Sequence, residues 1–150
     1  MLTFPVVIER DSSGYVVRFP DIPEALSAAA SRDEACRMAQ DALEAAIEFY
    51  LEDGRPVPMP SIAPPGQDTV ELPVSLSAKI LLLNEMLAQN VRPVELARRL
   101  GTTPQAVQRI LKVRHSTKID TIAQAFSAMG KRLDLSVSAA DPTKCDSHHA

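Results

Sequence analysis

The 150-residue sequence has no tryptophan, and its two tyrosines and four phenylalanines make up only 4% of the chain. A folded core must therefore be built mainly from Leu, Val, Ile and Ala, and the 45% apolar and 23% charged content is typical of a globular protein. No apolar run reaches the roughly 20 residues that a membrane-spanning helix needs, and the first residues lack the order of a secretory leader. We therefore expect a cytoplasmic protein.

Histidine and cysteine are also scarce, with three and two residues. Cys36 lies in a helical pattern and Cys145 in a polar tail, a spacing that indicates neither a metal site nor a disulfide framework. We interpret Cys36 as a core residue and Cys145 as incidental. His115 is isolated in a basic loop, and His148 and His149 stand side by side in the tail. We expect no catalytic residue, no metal, no cofactor and no enzymatic activity.

The charges are segregated along the chain. The first 73 residues hold 5 Lys+Arg and 13 Asp+Glu, and the remaining residues hold 11 and 6, so the halves carry about −8 and +5 within a total of −3. An acidic half followed by a basic half predicts two modules with different partners, the basic one a candidate for nucleic acid. Glu9 and Asp11 lie at the end of a predicted hairpin, and the remaining acidic residues mostly line the outward face of one helical pattern. We therefore do not expect the carboxylates to converge on Mg²⁺ as in a nuclease.

Alternation and turn residues predict a small sheet at the N-terminus. Residues 2–10 and 15–19 have strand character, and Asp11-Ser12-Ser13-Gly14 between them predicts a hairpin turn. Residues 26–30 are predicted to form a third short strand.

A long helix follows the sheet. Ser31 and Glu34 have the spacing of a capping box, and Gly54 marks the end of the helix. Between them, small and apolar residues from Ala35 to Phe49 repeat every three or four positions and predict the packed face. The interval 55–66 contains five prolines and predicts a stiff connector, after which residues 70–74 are predicted to return as a strand to the edge of the sheet.

The second half is predicted to be helical from Ala78 to about Gly130, with a short strand at 132–137. That strand could pair with its own copy across a dimer axis. The fold class is therefore α+β. We predict three parts: an acidic domain at 1–76, a DNA-binding domain at 77–140 and a disordered tail at 141–150.

The pattern of residues 93–112 is typical of a helix-turn-helix unit. Ala97 is small where a second helix must cross, Gly101 can adopt the left-handed conformation that ends the first helix, and Thr103 with Pro104 can start the second. The apolar positions that would join the two helices are Leu96, Leu100, Val107 and Ile110.

The outward side chains of the second helix and the loop beyond it have the chemistry of DNA contacts. Glutamine amides pair with adenine and arginine guanidinium groups with guanine, while basic loop residues meet phosphates. An ordinary pair of packed helices with a solvated polar face is the alternative. The predicted DNA-binding residues are Thr103, Gln105, Gln108, Arg109, Lys112, Arg114, His115 and Lys118.

These motifs together resemble the HicB antitoxin family, in the branch with a helix-turn-helix domain. The resemblance covers about residues 3–138. It is carried by Phe19-Pro20-Asp21-Ile22-Pro23, by Ser31-Arg32-Asp33-Glu34-Ala35, and more specifically by residues 96–101, 107–111 and 115–120. Glu24-Ala25 and Ala30 stand where family members usually carry glycine, which bears on the shape of the third strand.

The resemblance implies that residues 1–76 form a partial ribonuclease H-like βββαβ domain that binds the toxin. It implies that residues 77–140 form a lambda repressor-like helix-turn-helix domain. It implies an antitoxin that neutralises a HicA-like mRNA-degrading toxin and represses its own operon at a pseudo-palindromic operator, as a homodimer or a tetramer. The alternative function is a ligand-sensing transcriptional regulator without a toxin partner. The predicted toxin-binding residues are Tyr15, Phe19, Asp21, Glu24, Asp41, Glu44 and Glu48.

Overall fold

The computed structural model describes residues 1–140, 142, 144 and 145, which form five strands and five helices. The protein is α+β, as predicted. The described chain divides into two compact units. The first comprises Met1–Ile47, Pro58–Pro73 and the described residues that follow Ser138, and the second comprises Glu48–Val57 and Val74–Ser138.

The first unit contains two small antiparallel sheets. The extended N-terminal segment divides at Val6, so that one part pairs with the returning strand near residue 70 and the other part enters the hairpin. The Val6 N–H donates to the Asp68 carbonyl at 2.9 Å, which continues the first pairing. The strands are β1 (Thr3–Pro5), β2 (Val7–Asp11), β3 (Gly14–Arg18), β4 (Leu26–Ala29) and β5 (Thr69–Glu71).

The hairpin and the third strand are confirmed, including the glycine at the turn. Gly14 has a φ of +147°, and a Cβ built on it would lie 2.4 Å from the Ala29 carbonyl oxygen of β4. Glycine is therefore required both by the backbone conformation and by the close approach of the neighbouring strand. Ala30, where the resemblance led us to expect glycine, does not prevent β4 from pairing with β3.

Helix α1 (Arg32–Asp53) begins and ends as predicted. The Ser31 hydroxyl accepts from the Glu34 N–H at 3.2 Å, but the Glu34 carboxylate accepts from Ala30 rather than from Ser31. Phe49 was expected on the packed face and is instead 62% exposed. A helix turns by about 100° per residue, so Phe49 lies about 120° from the centre of the buried stripe at Leu43.

The second unit contains four complete helices and, from Glu48, the last residues of α1. The complete helices are α2 (Val74–Ala88), α3 (Pro93–Leu100), α4 (Pro104–Ile110) and α5 (Ile119–Ser127). Helix α2 begins four residues before the predicted Ala78, because Pro73 has no N–H to continue a strand ladder. Asn84 of α2 holds the proline-rich connector through both backbone groups of Val57, each at 2.9 Å. Across the described residues, no helix combines the length and apolar character needed to cross a membrane.

The predicted C-terminal strand does not form within a single chain. Residues 131–140 have no regular secondary structure, and among the described residues they pair with no strand. Leu135 is 76% exposed and Val137 is fully exposed. A strand needs a hydrogen-bonded neighbour, and no described strand pairs with this segment.

The two cysteines are joined, which corrects the interpretation of Cys145 as incidental. Cys36 of α1 forms a disulfide with Cys145, with a Cα–Cα distance of 5.5 Å. The Cys145 N–H donates to the Thr69 carbonyl at 2.7 Å, and the preceding Lys144 pairs with Glu71 at 3.4 Å. These described tail residues are anchored to the first unit. The remainder of the predicted disordered tail, including His148 and His149, lies outside the described residues.

Candidate nucleic-acid interface

The turn between α3 and α4 has the geometry that the sequence predicted. Gly101 has a φ of +68°, in the left-handed region. Its N–H donates to the Arg98 carbonyl at 3.3 Å, and the Thr102 N–H donates to the Ala97 carbonyl at 2.9 Å. This is the Schellman pattern, which satisfies the last carbonyls of a helix and reverses the chain.

Helix α4 starts and packs as predicted. The Thr103 hydroxyl accepts from the Ala106 N–H at 3.1 Å, and Pro104 occupies the first helical position. The apolar residues that join the two helices are buried, and Leu100 is partly buried. Because this face is held in the core, the polar residues of α4 must lie on the opposite face. The buried positions are Leu96, Ala97, Val107 and Ile110.

The predicted DNA contacts share a solvent-facing stretch of chain. All eight side chains are exposed except that of His115, which is half-buried and has its Nδ1 3.2 Å from the Thr117 hydroxyl. Exposure is what base and phosphate contacts require, and the contacts themselves stay a prediction. The exposed members are Thr103, Gln105, Gln108, Arg109, Lys112, Arg114 and Lys118.

The two arginines of α3 have a different role from that of Arg109. Glu95 accepts from Arg98 Nε at 3.0 Å and from Arg99 Nε at 3.0 Å. The hydrogen bonds from Arg98 and then Arg99 lower the pKa of Glu95 to about 2. Arg99 also donates to the Ala128 carbonyl at 3.2 Å. These arginines are therefore engaged in local pairing and in holding α3 to the end of α5.

Two residues that were assigned to different partners lie next to each other. Arg114, a predicted phosphate contact, has its Nε 3.4 Å from Oε1 of Glu48, a predicted toxin contact. The Arg114 side chain is 85% exposed, so the pair is screened by water and weak. Glu48 also belongs to the second unit, unlike the other predicted toxin-binding residues.

Lys79 was missed by the sequence analysis. It lies on α2, is only 2% exposed, and donates from Nζ to the carbonyls of Lys112 and His115 in the loop after α4. Burial lowers the pKa of its ammonium group. The only sequence signal was a lysine between apolar neighbours in SAKILLL, a pattern that does not reveal where the ammonium group goes.

The predicted toxin-binding residues of the first unit divide into core, structural and surface positions. Phe19 is 1% exposed, so its side chain belongs to the core and cannot touch a partner in this conformation. Asp21 accepts from both the N–H and the hydroxyl of Ser61 at 2.9 Å, which ties the connector to the turn after β3. Phe19 is therefore removed from the predicted interface.

The remaining four toxin-binding candidates of the first unit are at least partly accessible. Glu24 and Asp41 are exposed, Tyr15 on β3 is half-buried, and Glu44 accepts from Gln40 at 2.8 Å. No contact tests their assignment, which stays a prediction.

Exposed apolar residues of the first unit were not predicted. Leu26 on β4 is largely exposed, and Ile62 in the connector, next to the Ser61 that bonds to Asp21, is 96% exposed. The sequence of a proline-rich connector does not predict whether a hydrophobic residue in it is buried or exposed. Only the fold shows that Ile62 faces water. Such residues are candidates for a protein contact.

Within the part of the chain that the structure describes, no group of three or more histidine, cysteine or acidic residues could hold a metal ion. The sequence matches the family of HicB-like antitoxins of bacterial toxin-antitoxin systems over residues 3–81, more than half of the chain. The chain belongs to the HicB-like antitoxin family. Members of this family are antitoxins, and the protein is not an enzyme.

Relatives extend the similarity past residue 81, where the family match ends. Antitoxin HicB 2 of Photorhabdus laumondii subsp. laumondii is 54% identical over 134 residues, covering 89% of this chain and 95% of the relative. Antitoxin HicB of Escherichia coli strain K12 is 40% identical over 135 residues, covering 89% of this chain and 98% of the relative. Antitoxin HicB of Pseudomonas fluorescens is 33% identical over 141 residues, covering 93% and 97%. Shares this large include most of the helix-turn-helix unit.

Proposed function

We propose that the protein neutralises a small HicA-like mRNA-degrading toxin and represses its own operon by binding operator DNA. The observation that carries the proposal is the helix-turn-helix of α3 and α4 with an exposed Gln and Arg face, in a chain of an antitoxin family. In this proposal the protein acts in the cytoplasm, needs no cofactor, and performs both tasks by binding alone. The finer fold assignments, ribonuclease H-like and lambda repressor-like, are part of the same proposal.

Charge supports a toxin contact in the first unit. The first 73 residues have a net charge of about −8, and a protein that handles RNA has a basic surface, so attraction would steer the two together. We propose an interface of exposed carboxylates at Glu24 and Asp41 around apolar contacts from Leu26 and Ile62. Charge would set the association rate, and the apolar contacts would supply the affinity.

In the DNA complex, α4 would enter the major groove. Gln105, Gln108 and Arg109 would contact base edges, while Arg114 and Lys118 in and after the loop would contact phosphates. A helix of seven residues makes few base contacts, so a homodimer on a pseudo-palindromic site would double them. Pairing of two dimers would give a tetramer.

The segment 132–137 is the proposed dimer contact. Antiparallel pairing with its own copy, centred on Leu135, would place Leu135 opposite Leu135 and Leu133 opposite Val137. The alternative centred on Asp134 would oppose two carboxylates, which is unfavourable. A shift by a single residue would place apolar side chains opposite polar ones. The centre on Leu135 is therefore the favoured register, and it would cover an otherwise open edge.

One feature favours the alternative of a ligand-sensing regulator. The second unit has a cleft of about 1060 Å³ with an apolar floor that includes Leu83, Met86 and Leu111 and a charged rim that includes Glu52 and Lys112. This volume is close to the upper end of the usual range for small-molecule sites. A regulator of this class would need no toxin, whereas an antitoxin must rescue growth when the neighbouring small reading frame is expressed.

The test combines co-expression with a gel shift. The neighbouring gene should be toxic alone and harmless with this protein, and the purified complex should retain both chains. The Gln105→Ala and Arg109→Ala variants should each weaken binding to the upstream DNA by about 1–3 kcal/mol while rescue of growth is unchanged. Arg37→Ala, an exposed arginine of the first unit, is the matched control for loss of one positive charge. Loss of rescue with intact DNA binding would overturn the division of labour.

A further inference from the structure

Lys79 is an unusual residue for the interior of a small helical unit. It is 2% exposed and lies on α2 between Ala78 and Ile80, which are also buried. Lysine is almost never fully buried unless its ammonium group is paired, because removing the charge from water is costly. The hydrogen bonds of its Nζ go to two backbone carbonyls, those of Lys112 and His115.

These two carbonyls stand at the two ends of a tight turn. The His115 N–H donates to the Lys112 carbonyl at 3.2 Å, so that carbonyl accepts from both the turn and Lys79. Between them lie Val113 and the exposed Arg114. The buried ammonium group therefore fixes the backbone from which Arg114 projects, although Lys79 itself cannot reach DNA.

We propose that Lys79 is a positioning residue for DNA binding, which holds the loop 112–115 so that Arg114 and its basic neighbours meet adjacent phosphates. The proposal rests on the proposed operator binding. Charge-assisted hydrogen bonds are about twice as strong as neutral ones, and two of them from one donor restrict the loop at both ends. Without the donor, both carbonyls would have to turn toward water, and the loop would move with them.

The test uses the full-length protein and a labelled duplex of the DNA upstream of its own coding sequence. Lys79→Met keeps the length and removes the donor. We expect at least a tenfold loss of affinity and a lower dependence of binding on salt. If Arg114 no longer meets its phosphate, the slope of log K against log salt should become less negative by about 0.9.

Two further variants separate positioning from general stability. Leu82→Ala removes a fully buried side chain of the same helix without touching the loop carbonyls, so it should lower the unfolding free energy and leave DNA affinity unchanged below the melting range. Arg114→Ala should weaken DNA binding in the wild-type background. The same change should have little further effect in the Lys79→Met background, because Arg114 would already be displaced.

The proposal is overturned if Lys79→Met binds with wild-type affinity and salt slope. It is also overturned if Lys79→Met and Leu82→Ala lose affinity in proportion to their loss of stability. Should Lys79→Met not fold, NMR of the wild-type protein tests the hydrogen bonds on which the proposal depends. The Lys79 ammonium protons should exchange slowly and couple to the carbonyl carbons of Lys112 and His115. Absence of that coupling refutes the geometry. If the wild-type protein does not bind its upstream DNA, the proposed operator function is refuted. The NMR result tests the Lys79 hydrogen bonds independently of that outcome.

Discussion

Replacing Leu135 with alanine should weaken the proposed homodimer strongly. The change removes three carbons, worth about 0.8 kcal/mol each when buried. The side chain is 76% exposed in the single chain, so at most 76% of this free energy can come from burial at the dimer contact. That is at most about 1.8 kcal/mol per copy. Twofold symmetry counts the change twice. The dimer should lose up to about 3.6 kcal/mol, which raises the dissociation constant by up to several hundred-fold.

Sedimentation equilibrium over a range of concentrations would measure this constant. Ile62→Ala is the matched control, since Ile62 is 96% exposed but lies in the first unit, and it should leave the dimer unchanged. The register is tested by cysteine substitution in the protein with its native disulfide intact. Leu135→Cys should crosslink to its own copy, because directly opposed residues have Cα atoms about 4.5–5.5 Å apart.

A second pair of variants makes the register test sharper. Val137→Cys alone should not crosslink, whereas a mixture of Val137→Cys and Leu133→Cys chains should. Efficient crosslinking of Val137→Cys with itself, or a Leu135→Ala dimer as tight as the wild type, would refute the pairing scheme. A monomeric wild-type protein would refute the dimer itself.

The other predictions concern stability and charge. Gly14→Ala should lower the free energy of unfolding in urea by about 2–4 kcal/mol, because a Cβ would lie 2.4 Å from a backbone oxygen. A decrease no larger than that of Ser13→Ala would contradict the close approach. Thiol titration of the unreduced, unfolded protein should find no free thiol, because both cysteines are in the disulfide. Reduction should lower the free energy of unfolding of the first unit by up to about 5 kcal/mol, since the disulfide spans 109 residues. Equal stability with and without reductant would argue against the bond. The Glu95 carboxyl should titrate in NMR with a pKa of about 2, so its pairing is complete above pH 4.5 and is lost as the pH falls toward 2. Arg98→Ala should move that pKa upward, and an unchanged value would contradict the assigned cause.

The helix-turn-helix was predictable because its determinants are local. Each determinant acts within a few residues and depends on the type of a single residue. These determinants are the left-handed Gly101, the Thr103 cap and Pro104 at the first helical position. The same holds for the β-hairpin and for the start of α1 at Ser31. Helical periodicity predicted the buried face of α4, although it misplaced Phe49 on the longer α1.

The features that sequence could not supply join residues far apart in the chain. Cys36 and Cys145 gave no spacing signal for their disulfide, and Phe19, which was predicted to contact a toxin, is buried in the core. The strand predicted at 132–137 pairs with no strand of the described part of the chain. Lys79 shows the difference most clearly. Its amino-acid type predicts solvent exposure, and only the packing of α2 against the loop after α4 gives its ammonium group two carbonyls and makes burial tolerable. Local conformation depends on a residue and its near neighbours, whereas the environment of a side chain depends on which distant segments the whole fold brings to it.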